Sequence, residues 1–429
     1  MTKLRVRLLD CKRAGVLAAL ALLAVGVAAA ADPTLAVQTV SFNGLDVVND
    51  SLGGPDPFPL VAKPQWSGGT QTGPVAYVSG TRATVEVSFT VNNPPALDTK
   101  VFVTGSNATI GTLTREGTLS AGAGTLMMTF AFPTAFAASR TQFFNNNFQI
   151  AWTYRLKNSG MPPSAGMSTH TLYVTLAAAI AGTNIYRTSL KLSVPTGGDM
   201  TADAVFNTTW GDFAGPANVK NWNGDNLYYY RPPPGGGGFG SVCEVDDLLR
   251  SGNGSGQCNS WATFLQNAIA IHGIASDHIE VTATDGRNFM VKNWAVAAAA
   301  MPAGCETPAG QPTIEFDAGF GEMVPSPNGA ASTVYCDYQS NAGLPGQNTP
   351  TPSEKVFIRH FIIKYTKMGQ DCTTSDCYYD PSYGVTFRNE AGFQSNAVYA
   401  FVRQLPGVNH LKGRVAVVVV ATPLNITFM

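Results

Sequence analysis

The stretch GQCNSWATFLQNAIAIHGI (256–274) places a cysteine between a glycine-rich turn and a run with helical periodicity. Apolar residues recur at helical spacing over 259–273, which predicts an amphipathic helix that Gly273 ends. The N-terminus of a helix stabilises a thiolate through its unpaired N–H groups and the positive end of its dipole. Cys258 is therefore either a nucleophile or half of a disulfide, and the rest of the chain bears on the choice.

The start of the chain has the layout of a secretory signal peptide. Basic residues precede the apolar run AGVLAALALLAVGVAAAA (14–31), which ends in small residues before Asp32 and Pro33. We expect residues 1–31 to be removed; the alternative is an uncleaved anchor helix, because the run is about long enough to span a bilayer. No later stretch of about 18 apolar residues occurs, so we expect no integral membrane span in the mature chain. The predicted location is secreted, periplasmic or cell-surface.

The charge balance and the cysteines narrow the class of protein. The chain has 27 basic and 28 acidic residues, and the predicted signal peptide takes away mainly basic ones, so we expect no nucleic-acid partner. Export permits disulfides, and an even number of cysteines after the signal peptide suits three bridges. These cysteines are Cys243, Cys258, Cys305, Cys336, Cys372 and Cys377.

Residues 32–195 are predicted to form an all-β domain. In TVEVSFTV (84–91) apolar and polar residues alternate with the period of two that is typical of a half-buried strand. Several such runs at short spacing, with no amphipathic helix among them, predict an immunoglobulin-like antiparallel β-sandwich. Its turns carry no cluster of histidine, cysteine or acidic residues, so we interpret it as a binding, spacer or docking module of unspecified partner. The other clear runs are 99–105, 125–132, 148–156 and 168–177.

Residues 196–429 mix helices with strands and predict a second, α+β domain. The composition of VPTGGDM (194–200) predicts a hinge, and that of RPPPGGGGFG (231–240) predicts an exposed connector. Between the strands lies a Pro- and Gly-rich insertion, 297–353, which we expect to be a long surface loop clipped by Cys305 and Cys336. A short helix is predicted at 246–252, and strands at 278–283, 289–296, 355–366, 378–387 and 414–421.

A cysteine nucleophile needs a base, and His360 is the best placed histidine. It lies inside a predicted strand, and Asp380 follows twenty residues later in YYDPSYG (378–384). A hairpin turning near Gln370 would place the two residues opposite each other, close enough for a carboxylate to reach an imidazole. Asp380 would then orient His360 as the third member of a Cys-His-Asp triad. The other histidines are in less suitable places: His170 in the β-domain, His272 as a cap at the helix end, His278 at a strand start and His410 in the tail.

These residues, in this order, resemble the transglutaminase-like superfamily, a circularly rearranged relative of the papain-like cysteine proteases. The likeness covers about residues 240–390: a GQC turn into a helix that ends in GI, a His-bearing strand, and a strand with YYDPSYG. The resemblance implies that Cys258 is the nucleophile, His360 the base and Asp380 the orienting acid. It implies exported, cysteine-dependent acyl transfer on peptide or glutamine amide bonds, by hydrolysis or transamidation, on a peptide or protein substrate, without cofactor or metal.

The chain departs from that family in two features. One is the long insertion at 297–353, and the other is the lack of a recognisable counterpart of the upstream tryptophan that helps hold the oxyanion in the animal enzymes. Trp222 and Phe239 are both candidates for that position. The tyrosine run YYY (228–230) and Trp294 are interpreted as core or groove lining.

The alternative hypothesis is that the protein is not an enzyme. If Cys305 pairs with Cys336 and Cys372 with Cys377, then Cys243 has no partner except Cys258. With that bridge the protein would be a cell-surface binding or structural protein that keeps the fold. A metal site on Cys372 and Cys377 is disfavoured, because their five-residue spacing without a second pair is more typical of a disulfide, which would also staple the predicted hairpin.

Overall fold

The computed structural model describes residues 31–157, 160–216, 218–230, 244–283, 288–291, 305–306, 332–337, 346–349, 356–403, 414–419 and 426–428. The predicted signal peptide up to residue 30, Phe239, Cys243, Trp294 and His410 lie outside these ranges. Within them, no helix combines the length and hydrophobicity needed to cross a membrane.

The N-terminal half is built from two five-stranded sheets, in the orders β4-β3-β1-β6-β9 and β5-β11-β10-β7-β8. All five runs predicted as strands lie in them, and 168–177 alone overruns its strand. The strands are β1 (Thr34–Phe42), β2 (Val47–Val48), β3 (Trp66–Ser67), β4 (Thr70–Gln71), β5 (Val75–Val78), β6 (Arg82–Asn92), β7 (Thr99–Asn107), β8 (Gly111–Leu119), β9 (Thr125–Ala135), β10 (Gln142–Leu156) and β11 (Ser164–Thr175).

The two sheets share one hydrophobic core, because each strand turns alternate side chains inward. In β6 the residues Val85, Val87 and Phe89 are fully buried, as the period of two predicts. Trp152 of β10 lies at the centre, with its ring centroid 5.7 Å from that of Phe89 and 5.1 Å from that of Phe130. Burying each of these side chains contributes about 1.5–3 kcal/mol, so this half has a core of its own.

Two helices follow the sandwich, and neither was predicted: α1 (Arg187–Ser193) and α2 (Ala202–Phe213). The sequence does carry a start signal for α2, because the side chain of Thr201 accepts a hydrogen bond from the backbone N–H of Ala204 at 3.1 Å. The helix buries Val205, Phe206 and Phe213 on one face. Before α1, β12 (Ile185–Tyr186) pairs in parallel with β2.

The second half contains two larger sheets, in the orders β22-β21-β20-β15-β25 and β17-β18-β24-β23-β16-β19. Its helices are α3 (Val245–Arg250), α4 (Cys258–Ala270) and α5 (Glu390–Ala397). Its strands are β13 (Tyr228–Tyr229), β14 (Ser255–Gly256), β15 (Asp277–Ala283), β16 (Asn288–Val291), β17 (Cys305–Glu306), β18 (Ser332–Asp337), β19 (Val356–Phe357), β20 (Arg359–Lys364), β21 (Tyr378–Asp380), β22 (Val385–Phe387), β23 (Val398–Arg403), β24 (Arg414–Val419) and β25 (Ile426–Phe428).

Helix α4 is the predicted amphipathic helix, and it packs with its apolar face in the second core. Trp261, Phe264 and Leu265 are fully buried in it. The helix ends at Ala270, earlier than the predicted end, and Gly273 follows with φ +75°, a conformation that favours glycine. A side chain at Gly273 would also meet the carbonyl oxygen of Ala178 at 2.7 Å.

Three predictions for this half are corrected. The run 355–366 is two strands, interrupted at Ile358, and 378–387 is two short strands joined by a turn at 381–384. The insertion 297–353 is not only a surface loop, because its described residues include β17 and β18, which pair with Cys305 opposite Cys336. The described residues therefore form a β-rich chain with several sheets and separate hydrophobic cores.

Candidate functional site

Cys258 is the first residue of α4 and a free, buried thiol. The glycines before it allow the sharp entry into the helix. Gly254 has φ +65°, and a Cβ there would lie 2.9 Å from the carbonyl oxygen of Asn226. Gly256 has neighbouring side-chain atoms at 3.0 Å from the place of a Cβ. The turn thus holds the sulfur at the positive end of the helix, where backbone N–H groups lack helical partners.

His360 and Asp380 are brought together on neighbouring strands β20 and β21. The ring nitrogen Nε2 of His360 lies 2.7 Å from Oδ2 of Asp380, and both side chains are fully buried. The second carboxylate oxygen accepts a hydrogen bond from the backbone N–H of Ser382 at 3.0 Å. The carboxylate is therefore held in place from two sides, and it fixes the orientation of the imidazole.

The predicted hairpin register is wrong by two residues. Ile363 pairs with Tyr379 and Lys364 with Tyr378, so the same register places His360 nearest Ser382, not Asp380. Residues offset by two on neighbouring strands still project from the same face of the sheet. The hydrogen bond between His360 and Asp380 is thus a diagonal contact, which a ring and a carboxylate are long enough to make.

A disulfide joins Cys372 to Cys377 in the connection between these strands. The backbone N–H of Tyr365 donates to the carbonyl oxygen of Cys377 at 2.9 Å, which continues the register of β20 and β21. The bridge therefore closes the returning arm of the hairpin immediately before the strand that carries Asp380.

The His360 ring also interacts with the Cys258 thiol. Burial of the ring lowers its pKa, but the charge and hydrogen bond of Asp380 act in the opposite direction, helped by the Cys258 thiol, so the pKa of His360 is raised above its ordinary value. Ring nitrogen Nδ1 is buried and has no hydrogen bond of ordinary geometry to any described residue. A ring that is hydrogen-bonded at Nε2, open at Nδ1 and beside a thiol can accept the thiol proton, and its raised pKa favours holding that proton as an imidazolium next to the thiolate.

The remaining described histidines are unsuited to that role. Burial lowers the pKa of His170 and of His272 to about 3, and also lowers the pKa of His278. His272 was expected to cap the helix carbonyls; instead Nδ1 accepts from the N–H of Leu176 at 3.1 Å and Nε2 lies 2.8 Å from Oγ of Ser193. Among the histidines that the structure describes, His360 alone has a raised pKa.

Two tyrosines lie near Cys258 and His360, and the sequence gives no direct indication of their place in the site. Tyr229 of β13 pairs in parallel with Gly256, two residues before Cys258. Tyr383 follows Asp380, with its ring centroid 5.7 Å from that of His360 and 5.1 Å from that of Tyr229. The clustering of three tyrosines upstream of the GQC turn and the tyrosine within DPSYG were the available signals.

The turn Gly346–Thr349, from the end of the predicted insertion, packs onto Tyr229. The backbone of Gln347 accepts from the N–H of Tyr229 and donates to the carbonyl of Ser382, both at 2.9 Å. The hydroxyl of Thr349 donates to the carbonyl of Tyr229 at 2.6 Å. A Cβ on Gly346 would lie 2.3 Å from the Tyr229 ring. Part of the insertion thus positions a side chain of the site.

Trp222, a candidate for the missing tryptophan, is engaged elsewhere. Its indole N–H donates to the carbonyl oxygen of Asp50, and the guanidinium carbon of Arg187 lies 3.3 Å from its ring centroid. The indole donor is therefore not available to an oxyanion at Cys258, and this rules out Trp222 as the candidate. The second candidate, Phe239, lies outside the described residues.

No cluster of three or more histidine, cysteine, aspartate or glutamate side chains suited to a metal ion occurs in the part of the chain that the structure describes. No protein-family model matches the chain, and a search of curated proteins also gives no match.

Proposed function

We propose that the chain is an exported cysteine-dependent acyltransferase or hydrolase that acts on amide bonds of peptides or of glutamine side chains. The observation that carries the proposal is the arrangement around His360. Its Nε2 is hydrogen-bonded to the buried carboxylate of Asp380, and its ring interacts with the free thiol of Cys258 at the start of a helix. A free thiol also favours an enzyme over a binding protein in which Cys258 is bridged to Cys243.

In this reaction, His360 takes the proton of Cys258, and the thiolate attacks the amide carbonyl carbon. The π electrons of the carbonyl move to its oxygen, which the backbone N–H of Cys258 helps to hold. When the carbonyl reforms, the C–N bond breaks and the His360 imidazolium gives its proton to the leaving amine. The thioester on Cys258 then passes its acyl group to water or to a lysine amine. Asp380 keeps the ring oriented and balances its charge.

The domain assignments belong to the same proposal. For residues 196–429 we propose a transglutaminase-like domain, supported by a cysteine-headed helix in one core with β20 and the neighbouring strand that carries Asp380. For residues 32–195 we propose an immunoglobulin-like sandwich, supported by two five-stranded sheets around one core. Export is supported by the leader-like start of the chain and by the Cys372–Cys377 disulfide.

A thiol probe tests the proposal without knowledge of the natural substrate. In the mature chain, iodoacetamide should alkylate Cys258, and His360→Ala should slow the alkylation about 100-fold. His170→Ala is the matched control, because this ring is also fully buried but lies in the sandwich core beside Phe42. Equal rates in wild type and His360→Ala, or a Cys243–Cys258 bridge in a non-reduced peptide map, would refute the proposal.

A second measurement separates the acceptors. The protein is incubated with a mixture of glutamine-containing peptides and a fluorescent primary amine. Release of ammonia alone indicates deamidation, new peptide amino termini indicate proteolysis, and incorporation of the amine indicates crosslinking. Cys258→Ala should abolish whichever product forms, and a product that survives this change would arise from another centre.

A further inference from the structure

Four side chains lie close together in the site: Cys258, His360, Tyr383 and Tyr229. Cys258 interacts with His360, and the His360 and Tyr383 ring centroids lie 5.7 Å apart. Tyr383 contacts Tyr229, and the backbone of Tyr229 pairs with Gly256, two residues before Cys258. The triad accounts for two of these residues and leaves the roles of the two tyrosines unassigned.

The hydroxyl group of Tyr229 makes a weak contact in the structure. The phenol is almost fully buried, and its oxygen lies 3.5 Å from the hydroxyl oxygen of Tyr383. At this distance the hydrogen bond is long, so the Tyr229 hydroxyl can turn its proton toward a stronger acceptor. Burial, together with the neighbouring Tyr383 and Cys258, raises the pKa of Tyr229 well above its ordinary value. The Tyr229 phenol is therefore neutral at physiological pH and can donate a hydrogen bond.

The backbone holds this phenol firmly beside the nucleophile. Tyr229 pairs with Gly256 in the turn that leads to Cys258, and Gln347 and Thr349 hydrogen-bond to its N–H and carbonyl groups. A group that stabilises charge in a transition state has to be fixed before the charge develops, because reorganisation would cost the energy that is gained. This placement fits such a role better than that of a tyrosine that only fills the core.

We propose that Tyr229 is a catalytic residue whose hydroxyl donates a hydrogen bond to the substrate carbonyl oxygen when Cys258 attacks the carbonyl carbon. The inference rests on the proposed function. The S–C bond forms, the π electron pair moves to oxygen, and the resulting oxyanion is held by two donors, the backbone N–H of Cys258 and the Tyr229 hydroxyl. No proton leaves Tyr229, and the electron pair on oxygen re-forms the carbonyl double bond when the C–N bond breaks.

Two probes of Cys258 distinguish this role from a structural one. Iodoacetamide alkylates sulfur by displacing iodide and forms no oxyanion, whereas p-nitrophenyl acetate acylates sulfur through a tetrahedral oxyanion and releases p-nitrophenol. Tyr229→Phe removes only the hydroxyl oxygen. It should lower the acylation rate constant about 100-fold and change the alkylation rate constant by less than about twofold.

Tyr154→Phe, a buried tyrosine of the sandwich core, is the matched control and should change neither rate. Equal acylation rates in wild type and Tyr229→Phe overturn the inference, and so does an equal fall of both rates, which would mean that the phenol only positions the thiol. Failure of the proposed function looks different, because wild type and His360→Ala would then be alkylated at the same rate.

Discussion

Asp380→Asn should uncouple His360 from its charge partner while keeping the shape of the site. Asparagine has nearly the volume of aspartate and can still accept from the backbone N–H of Ser382. The lost interaction is a 2.7 Å hydrogen bond to a charged group between two fully buried side chains. Such bonds contribute about 1.5–3 kcal/mol, which corresponds to about a 10- to 150-fold change in an equilibrium or a rate.

The protein itself shows what a buried histidine does without a carboxylate. His170 and His272 have no acidic partner within the described ranges, and burial lowers the pKa of each to about 3. In wild type, Asp380 reverses this effect at His360 and raises the pKa above its ordinary value. With Asp380→Asn, burial dominates at His360 as well, so we expect a ring that is neutral at pH 7 and a Cys258 that reacts more slowly.

The assay combines two readouts. Imidazole NMR resonances followed against pH should show His360 titrating above pH 6.5 in wild type and below pH 6.5 in Asp380→Asn. The iodoacetamide rate at pH 7 should fall about 10- to 150-fold. Asp376→Asn is the control, because Asp376 lies in the same hairpin and accepts from Thr386, away from the ring. A His360 that still titrates above pH 6.5 in Asp380→Asn, with an unchanged rate, would refute the reasoning.

Three further predictions concern the scaffold. Replacing Cys372 and Cys377 by serine removes a short-loop crosslink and should lower the free energy of unfolding in urea by about 2 kcal/mol, with slower Cys258 alkylation as the hairpin loosens. Gly273→Ala places a side chain at φ +75° and 2.7 Å from the Ala178 carbonyl, so calorimetry should show a loss of more than about 1 kcal/mol. His272 has a pKa of about 3 in the folded chain and 6.5 in the unfolded chain, so its contribution to stability should be full above pH 6.5 and fall as the pH drops toward 3. His272→Gln should reduce this dependence of the free energy of unfolding on pH. An unchanged dependence would mean that His272 is not its source.

The sequence was sufficient to predict the parts of the site that depend on local pattern. Helical periodicity located α4 and its cysteine, and the spacing of His360 and Asp380 predicted a hairpin that brings them together. This spacing did not fix the register of the hairpin, because the turn near Gln370 was inferred only from the midpoint between His360 and Asp380. The strands here turn about position 371 rather than 370, which shifts the pairing by two residues. An even shift keeps both side chains on one face, so the contact survives the error.

The parts that were missed depend on contacts between distant segments. Nothing local in the YYY run distinguishes a core tyrosine from one beside a nucleophile, and only the parallel pairing of Tyr229 with Gly256 reveals its place. Likewise the turn Gly346–Thr349 lies in a Pro- and Gly-rich insertion, and its composition predicts a loop but not its packing on Tyr229. Helix α2 was overlooked because its polar exposed face interrupts a short apolar pattern, although Thr201 supplies a cap.

The N-terminal half has a structural part in the candidate site, because it holds the far end of α4, the helix that begins at Cys258. At the last turn of α4, the N–H of Ile180 donates to the carbonyl of Ala270 at 3.0 Å, and the N–H of Leu176 donates to His272. Ile271 is fully buried in a small cluster that also contains Ala76 and Tyr173 of the sandwich strands. A helix is stiff over its length of about 1.5 Å per residue, so fixing its C-terminal end also restricts the position of Cys258 at the other end. The sandwich is therefore part of the support of Cys258.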